Sequence, residues 1–360
     1  MNRSYNFSPG PATLPEEVLQ QAKEELLDWR GLGASVMEIS HHAPEFQQLM
    51  DETEQNLRDL LNIPTNYKVL FIPGGGRGQF SMVPLNLLGG KVIADYLDTG
   101  LWSDMAAKEA SRYCEVNRVA SSAEQKYCTI PEQSSWKHHP QAAYFHYADN
   151  ETVHGNEFSY VPKLTNVPIV ADMSSNILSR TINVTDFALI YAAAQKNIGI
   201  SGITLVIIRE DLLGQALPIT PMMFNYTLHA KANSLLNTPP TFPWYITGLV
   251  FQWLKKQGGI ASIEKINAKK AKKLYDCIDS SSLYINDVHP RYRSRMNVVF
   301  KLKDENLDAR FLEASRQSGF IGLKGHKLVG GMRASLYNAF PEQAVDAFVT
   351  FLQHFEKTMA

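Results

Sequence analysis

Apolar residues fall into two spacings along the chain. Between residues 65 and 210, short, nearly unbroken apolar runs recur at 67–72, 91–96, 142–147, 167–172, 187–193 and 202–208. Runs of this length without polar alternation predict strands buried on both faces, as in parallel sheets. Elsewhere the spacing is helical. Val18, Ala22, Leu26 and Trp29 share a face; Thr13-Leu14-Pro15-Glu16 reads as a capping box ahead of them, and Gly31 and Gly33 follow. Phe46, Leu49, Thr53, Leu57 and Leu60 form a second stripe after Pro44, and Phe80, Val83, Leu87 and Leu88 a third. After an irregular stretch at 211–240, a helix rich in large apolar residues is expected at 241–257, broken by Gly258-Gly259. A lysine-rich helix at 260–279 reads as a solvated connector. Strand 296–302, helix 307–318, strand 332–338 and helix 341–355 complete the chain.

Strands alternating with helices predict an α/β fold with a mostly parallel sheet covered on both faces. Two domains are expected, a large one at 15–259 and a small C-terminal α/β one at 260–360, with residues 1–14 packing on the small domain near the site.

The bulk numbers mainly exclude. A net charge of −1 gives no footprint for nucleic acid. Cys114, Cys128 and Cys277 have neither metal spacing nor a disulfide pattern, which suits a reducing cytoplasm. The start, Met1 to Phe7, lacks an apolar signal core, and no run approaches a membrane span. No metal is expected.

The chemistry-bearing residues sit where strands run out. Lys196 follows the apolar run 187–193, and Asp172 ends the run 167–172. A lysine in such a place loses solvation, its pKa falls, and its amine can condense with an aldehyde. A carboxylate beside it could hold a pyridinium nitrogen protonated, the pairing that pyridoxal phosphate (PLP) chemistry uses. Taken alone, Lys196 also fits a side chain snorkelling from a strand end, and Asp172 a turn cap. Gly74-Gly75-Gly76-Arg77-Gly78 lies between a strand and a helix, where backbone N–H groups can approach an anion. It lacks the spacing of a nucleotide P-loop or a dinucleotide fold, so a small phosphate or a plain tight turn are its two readings.

Five motifs together carry a resemblance: Asn6-Phe7-Ser8-Pro9-Gly10-Pro11-Ala12, Gly74 to Gln79, Asp172-Met173-Ser174-Ser175, Ala194-Gln195-Lys196-Asn197-Ile198-Gly199 and Asn237-Thr238-Pro239-Pro240-Thr241. In this order, spanning almost the whole chain, they resemble the phosphoserine aminotransferases, class V PLP-dependent aminotransferases of the aspartate-aminotransferase-like fold type I. The resemblance implies transamination between glutamate and 3-phosphohydroxypyruvate, or 4-phosphohydroxythreonine synthesis. It implies Lys196 and Asp172 as catalytic residues, with Gly76, Arg77, Trp102, Thr152 and Gln195 also holding the cofactor. Asn237 and Thr238 would complete the phosphate cup of a partner subunit, so a homodimer is implied. Substrate would be held by His41, His42, Arg77, His326, Lys327 and Arg333, the last gripping the α-carboxylate. The family usually has arginine where His42 and Lys327 stand, and Ser or Ala is commoner at Pro9. Since Lys or neutral His cannot replace a bidentate guanidinium, an aminotransferase for another acidic or unphosphorylated keto acid is the alternative. Arg291, Arg293 and Arg295 are possible substitutes.

Overall fold

The computed structural model describes residues 3–359. A short strand β1 (Tyr5–Asn6) precedes helices α1 (Glu16–Glu24) and α2 (Pro44–Leu61). Then come β2 (Tyr67–Gly74), α3 (Gly76–Leu87), β3 (Ile93–Asp98), α4 (Leu101–Ala110), β4 (Glu115–Ser121) and β5 (Phe145–Ala148). A small hairpin, β6 (Asn150–Glu151) and β7 (Asn156–Glu157), leads to β8 (Ile169–Asp172), β9 (Leu189–Ala193) and β10 (Gly202–Arg209). Helices α5 (Tyr226–Lys231), α6 (Thr241–Lys256) and α7 (Gly259–Asp279) follow. The chain ends with β11 (Tyr284–Ile285), β12 (Asn297–Leu302), α8 (Asp308–Gln317), β13 (Phe320–Ile321), β14 (Met332–Ser335) and α9 (Glu342–Met359).

The central sheet has seven strands in the order β2-β10-β9-β8-β5-β3-β4. β10 runs antiparallel to both neighbours, and the other pairings are parallel. Period two decides which layer each side chain joins. Leu70, Ile72, Tyr96, Val170, Tyr191 and Val206 pack on one face with residues of α3, α4 and α5. Val69, Phe71, Leu97, Ala171, Ile190 and Leu205 pack on the other with α2 and α6. With both faces covered, the strands need no polar alternation. A third core gathers Phe7 with α7, α8, α9 and the sheet β11-β12-β14. β1 pairs with β13, joining the N-terminal segment to this C-terminal core.

Several expectations are corrected. The first helix ends at Glu24, and Trp29–Gly31 is a separate 3-10 turn. No capping box forms: Pro15 is the N-cap without a side-chain bond, and the Thr13 hydroxyl donates to the Asn6 carbonyl instead. β3 begins two residues, and β5 three residues, after the start of the apolar runs that announced them. α4 and β4 were not foreseen, because Glu115–Ser121 is a polar strand on the sheet edge. α7 is no solvated connector: it buries Ile260, Ile263, Leu274, Ile278 and even Lys270.

Candidate active site

Every main-sheet strand that brings a predicted site residue ends on one edge. β8 ends at Asp172; β9 ends at Ala193, just before Lys196. β5 delivers Thr152, β3 delivers Trp102, and β2 ends at Gly74 beside the glycine turn. In open α/β sheets the carboxyl edge is where ligands are held. A cavity of about 500 Å³ there is lined by Gly76, Arg77, Trp102, Thr152, Asp172, Gln195, Lys196, His326 and Arg333, together with Pro9 and Gly10. A second cavity of about 630 Å³, beside His154, contains none of the predicted site residues.

Lys196 Nζ donates to Thr152 Oγ1 at 2.7 Å and lies 5.8 Å from the centre of the Trp102 ring. Burial pushes its pKa down to about 8, opposed by Asp172 and reinforced by Arg333. Burial likewise raises the Asp172 carboxyl, against the Ser174 side chain and amide, Lys196 and the Tyr191 hydroxyl, which all favour the carboxylate. The Ser174 amide donates to Asp172 Oδ1 at 2.9 Å, and the Ser174 hydroxyl accepts from the Ala193 amide at 3.1 Å, tying the two strand ends together. Arg333, on β14, reaches across to donate from Nη1 to the Thr152 carbonyl at 3.2 Å. Its Nε and the Trp102 Nε1 are buried without partners.

The N-terminal segment closes the cavity. Pro9 is held by Tyr337, whose hydroxyl donates to the Pro9 carbonyl at 2.7 Å, and the Ala12 amide donates to the Gln195 carbonyl at 2.9 Å. Gly10 has φ +140°, a conformation that favours glycine, and it lies against Lys196, whose Cγ a Cβ there would meet at 3.4 Å.

Not every predicted residue reaches this cavity. His41 and His42 lie outside it, their rings tilted at 42° with centroids 4.0 Å apart. Asn237 and Thr238 are exposed on the loop before α6, and Lys327 is exposed beside His326 without lining the cavity. Arg291, Arg293 and Arg295 pair with Glu132, Asp279 and Glu157, so they are not substitutes for missing guanidinium groups. Two contributors were missed. Ser174 belongs to the Asp172-Met173-Ser174-Ser175 motif, whose pattern assigns it no role. Glu151 is fully buried and accepts from the Trp102 amide at 3.0 Å, the Ser103 amide at 2.8 Å and the Ser103 hydroxyl at 2.7 Å. A carboxylate next to Thr152 in sequence, facing a strand-to-helix turn, was the available signal.

The residues present fit PLP. A Cβ on Gly76 would press to 3.3 Å from Ser174 Oγ, so glycine keeps the first turn of α3 open, and its leading amides have no intrahelical acceptor. Arg77 lies 5.6 Å from the Trp102 ring at that end. Asp172 supplies a buried anion for a protonated ring nitrogen, and Lys196 a depressed-pKa amine for an aldehyde. Among the described residues, no group of three or more His, Cys, Asp or Glu side chains could hold a metal.

A fold with this sheet and a strand-end lysine facing an aspartate defines a PLP-dependent aminotransferase, and the aminotransferase class-V family matches residues 4–348. The chain belongs to that family. A phosphoserine aminotransferase from Coxiella burnetii is 50% identical over 358 residues, covering 99% of each chain. One from Chromobacterium violaceum is 53% identical over 359 residues, again covering 99% of each. The solved phosphoserine aminotransferase of Bacillus circulans subsp. alkalophilus superposes with a TM-score of 0.97 at 43% identity, over 99% of both chains. The PLP-bound phosphoserine aminotransferase of Trichomonas vaginalis superposes with a TM-score of 0.94 at 42% identity, over 98% of this chain and 100% of that one.

Proposed function

We propose that this chain moves the amino group of glutamate to 3-phosphohydroxypyruvate, giving 2-oxoglutarate and O-phosphoserine. The observation that carries the reading is the single cavity holding Lys196, Asp172, Thr152 and Arg333 in a chain half identical, end to end, to enzymes of that name. Bound PLP supplies an electron sink for the charge that develops at the substrate Cα. Gly76 and Arg77 would hold its phosphate at the α3 N-terminus, Asp172 would keep its ring nitrogen protonated, and Trp102 would offer its indole face to the ring. Lys196, once free, takes the proton from substrate Cα as general base and returns it as general acid. Arg333 grips the substrate α-carboxylate through its fork.

On this reading the division between domains falls at 259/260, with residues 1–14 bridging the small domain and the site. The protein works as a homodimer in the cytoplasm, and Asn237 and Thr238 complete the partner's phosphate cup. Their exposure outside the cavity of their own chain supports this, as do exposed Leu27, Met37, Ile219 and Met222. Among the described residues no helix is long and apolar enough to cross a membrane, and all three cysteines are free. His41, His42, His326 and Lys327 form the substrate-phosphate side in the assembled enzyme, with Lys327 and His42 as weaker donors than arginine.

The test is a half-reaction titration. The pyridoxamine-form enzyme is mixed separately with 3-phosphohydroxypyruvate, hydroxypyruvate and oxaloacetate, and return of the aldehyde-form spectrum is followed. One charge-assisted hydrogen bond retained per phosphate oxygen predicts a preference of roughly a hundredfold or more for the phosphorylated acid. Equal rates would assign the chain to an unphosphorylated substrate.

A further inference from the structure

Behind Asp172, on the side away from the cavity, lies a line of buried polar side chains that the reaction as described does not use. Asp172 and Tyr191 are register partners on the parallel strands β8 and β9, so their side chains leave the sheet on the same face. The next strand, β5, places His146 two residues before Ala148, the register partner of Asp172, and so also on that face. His146 Nε2 lies 2.9 Å from the Tyr191 hydroxyl. Both rings are buried, at 1% and 0% exposure.

The proton inventory orders this line. A phenol has one proton to give, and the Tyr191 hydroxyl acts to stabilise the Asp172 carboxylate. With that proton directed at Asp172, the Tyr191 oxygen accepts from His146, which makes His146 the Nε2–H tautomer. The complementary atom agrees: His146 Nδ1 is buried with no partner, the state expected of the lone-pair nitrogen. Burial pushes the imidazole pKa down to about 3, so it stays neutral. Tyr96 stacks on His146 with centroids 4.8 Å apart, and its hydroxyl shares a hydrogen bond with the Tyr144 hydroxyl at 2.7 Å. Tyr226, the other phenol facing Tyr191, is engaged with Gln79 Oε1 at 2.6 Å. On the cavity side, Lys196 and the Ser174 amide and hydroxyl are the groups facing Asp172, and Glu151 is a like charge that feels it. Lys196 would be committed to the cofactor aldehyde, and the Ser174 amide serves Oδ1. That leaves Tyr191, the register partner of Asp172 on the same sheet face and backed by His146, as the hydroxyl placed to serve this carboxylate.

We propose that His146 and Tyr191 form a positioning relay behind Asp172 that keeps its carboxylate ionised and oriented, so that the ring nitrogen of the bound cofactor retains its proton. The relay rests on the PLP reading above. It makes Tyr191 and His146 positioning residues, acting on the cofactor only through Asp172.

The experiment uses holoenzyme reconstituted with PLP labelled at the ring nitrogen. Nitrogen NMR reports directly whether that atom is protonated, and titration over the stable pH range gives its midpoint. In Tyr191→Phe, which keeps the ring and removes only the hydroxyl, the midpoint falls by about one unit or more, roughly a tenfold loss of proton affinity. The cofactor dissociation constant, read by tryptophan quenching, rises in parallel. His146→Phe, which leaves Tyr191 without its donor, moves the midpoint the same way by less. A folded Tyr191→Phe holoenzyme with the parental nitrogen signal and midpoint overturns the relay. If Tyr191→Phe does not fold, His146→Phe decides alone, and a parental midpoint there overturns it. Failure of the parent to bind PLP at all would sink the cofactor reading instead.

Discussion

The Thr152 hydroxyl accepts a hydrogen bond from the Lys196 ammonium at 2.7 Å. The Thr152 carbonyl accepts from Arg333 at 3.2 Å, so one residue after the β6 turn sets the spacing between the amine and the proposed carboxylate clamp. Thr152→Val keeps the shape and removes the hydroxyl. A hydrogen bond to a charged group contributes about 1.5–3 kcal/mol, so the expected outcome is a roughly 10- to 100-fold loss in kcat/KM for glutamate. Steady-state kinetics checks this, and parental kinetics would show that the hydroxyl is dispensable.

Lys196 also leaves a mark on stability. Its pKa is about 8 folded against 10.5 in the unfolded chain. Between those values the unfolded chain binds the extra proton, so stability of the cofactor-free protein rises with pH across that window, by up to roughly 3 kcal/mol from this group. Lys196→Met removes that part of the slope. Urea denaturation at several pH values, comparing parent and variant, reads the difference. The same variant loses at least about 10²–10⁴-fold in turnover, the usual contribution of a general acid–base group.

Glu151 titrates the other way. Burial raises its pKa to about 7, from 4.5. Its contribution to stability is fully present below the unfolded value and is lost as pH rises through 7. Above that pH it is a buried carboxylate held by the amides of Trp102 and Ser103 at the start of α4. Glu151→Gln turns an N–H toward one of these amides. The expected cost above pH 7 is about 1–3 kcal/mol, with weaker PLP binding because Trp102 is no longer anchored. Below pH 6 the gap widens, since the parent regains the contribution of its protonated side chain while the variant does not titrate. Thermal unfolding of both proteins at the two pH values decides.

The sequence announced the fold through its unbroken apolar runs, because strands covered on both faces need no alternation, and the strand ends then located Lys196 and Asp172. It concealed α4 and β4, since an edge strand such as Glu115–Ser121 is half solvated and carries no continuous apolar signal. His41, His42, Asn237 and Thr238 were named only through the resemblance, because no strand end or local pattern points to them, and they lie outside the cavity of their own chain. The relay behind Asp172 was hidden because His146 and Tyr191 sit inside runs that read only as apolar strands. Their pairing depends on register, not on local pattern.

Lys270 shows how far local pattern can mislead. It lies among the lysines of α7, which suggested a solvated face, yet it is fully buried, and its ammonium donates to the carbonyls of Leu336, Tyr337 and Phe340 at 3.0, 2.8 and 3.0 Å. These carbonyls follow β14, the strand that carries Arg333, and Tyr337 in turn holds Pro9 over the cavity. Burial lowers the Lys270 pKa to about 7, against 10.5 unfolded, so this group adds stability as pH rises between those values. Lys270→Met matches the stem but takes the ammonium from the carbonyls of Leu336 and Phe340, while that of Tyr337 still accepts from the Phe340 amide at 2.9 Å. Each orphaned group costs about 1–3 kcal/mol, so a total loss of roughly 2–4 kcal/mol is expected after partial relaxation. Because the loosened segment adjoins Arg333, KM for glutamate rises more than kcat falls. Denaturant unfolding measures the first effect and steady-state kinetics the second. A variant as stable as its parent would mean that the orphaned carbonyls find other donors and that Lys270 does not brace the clamp.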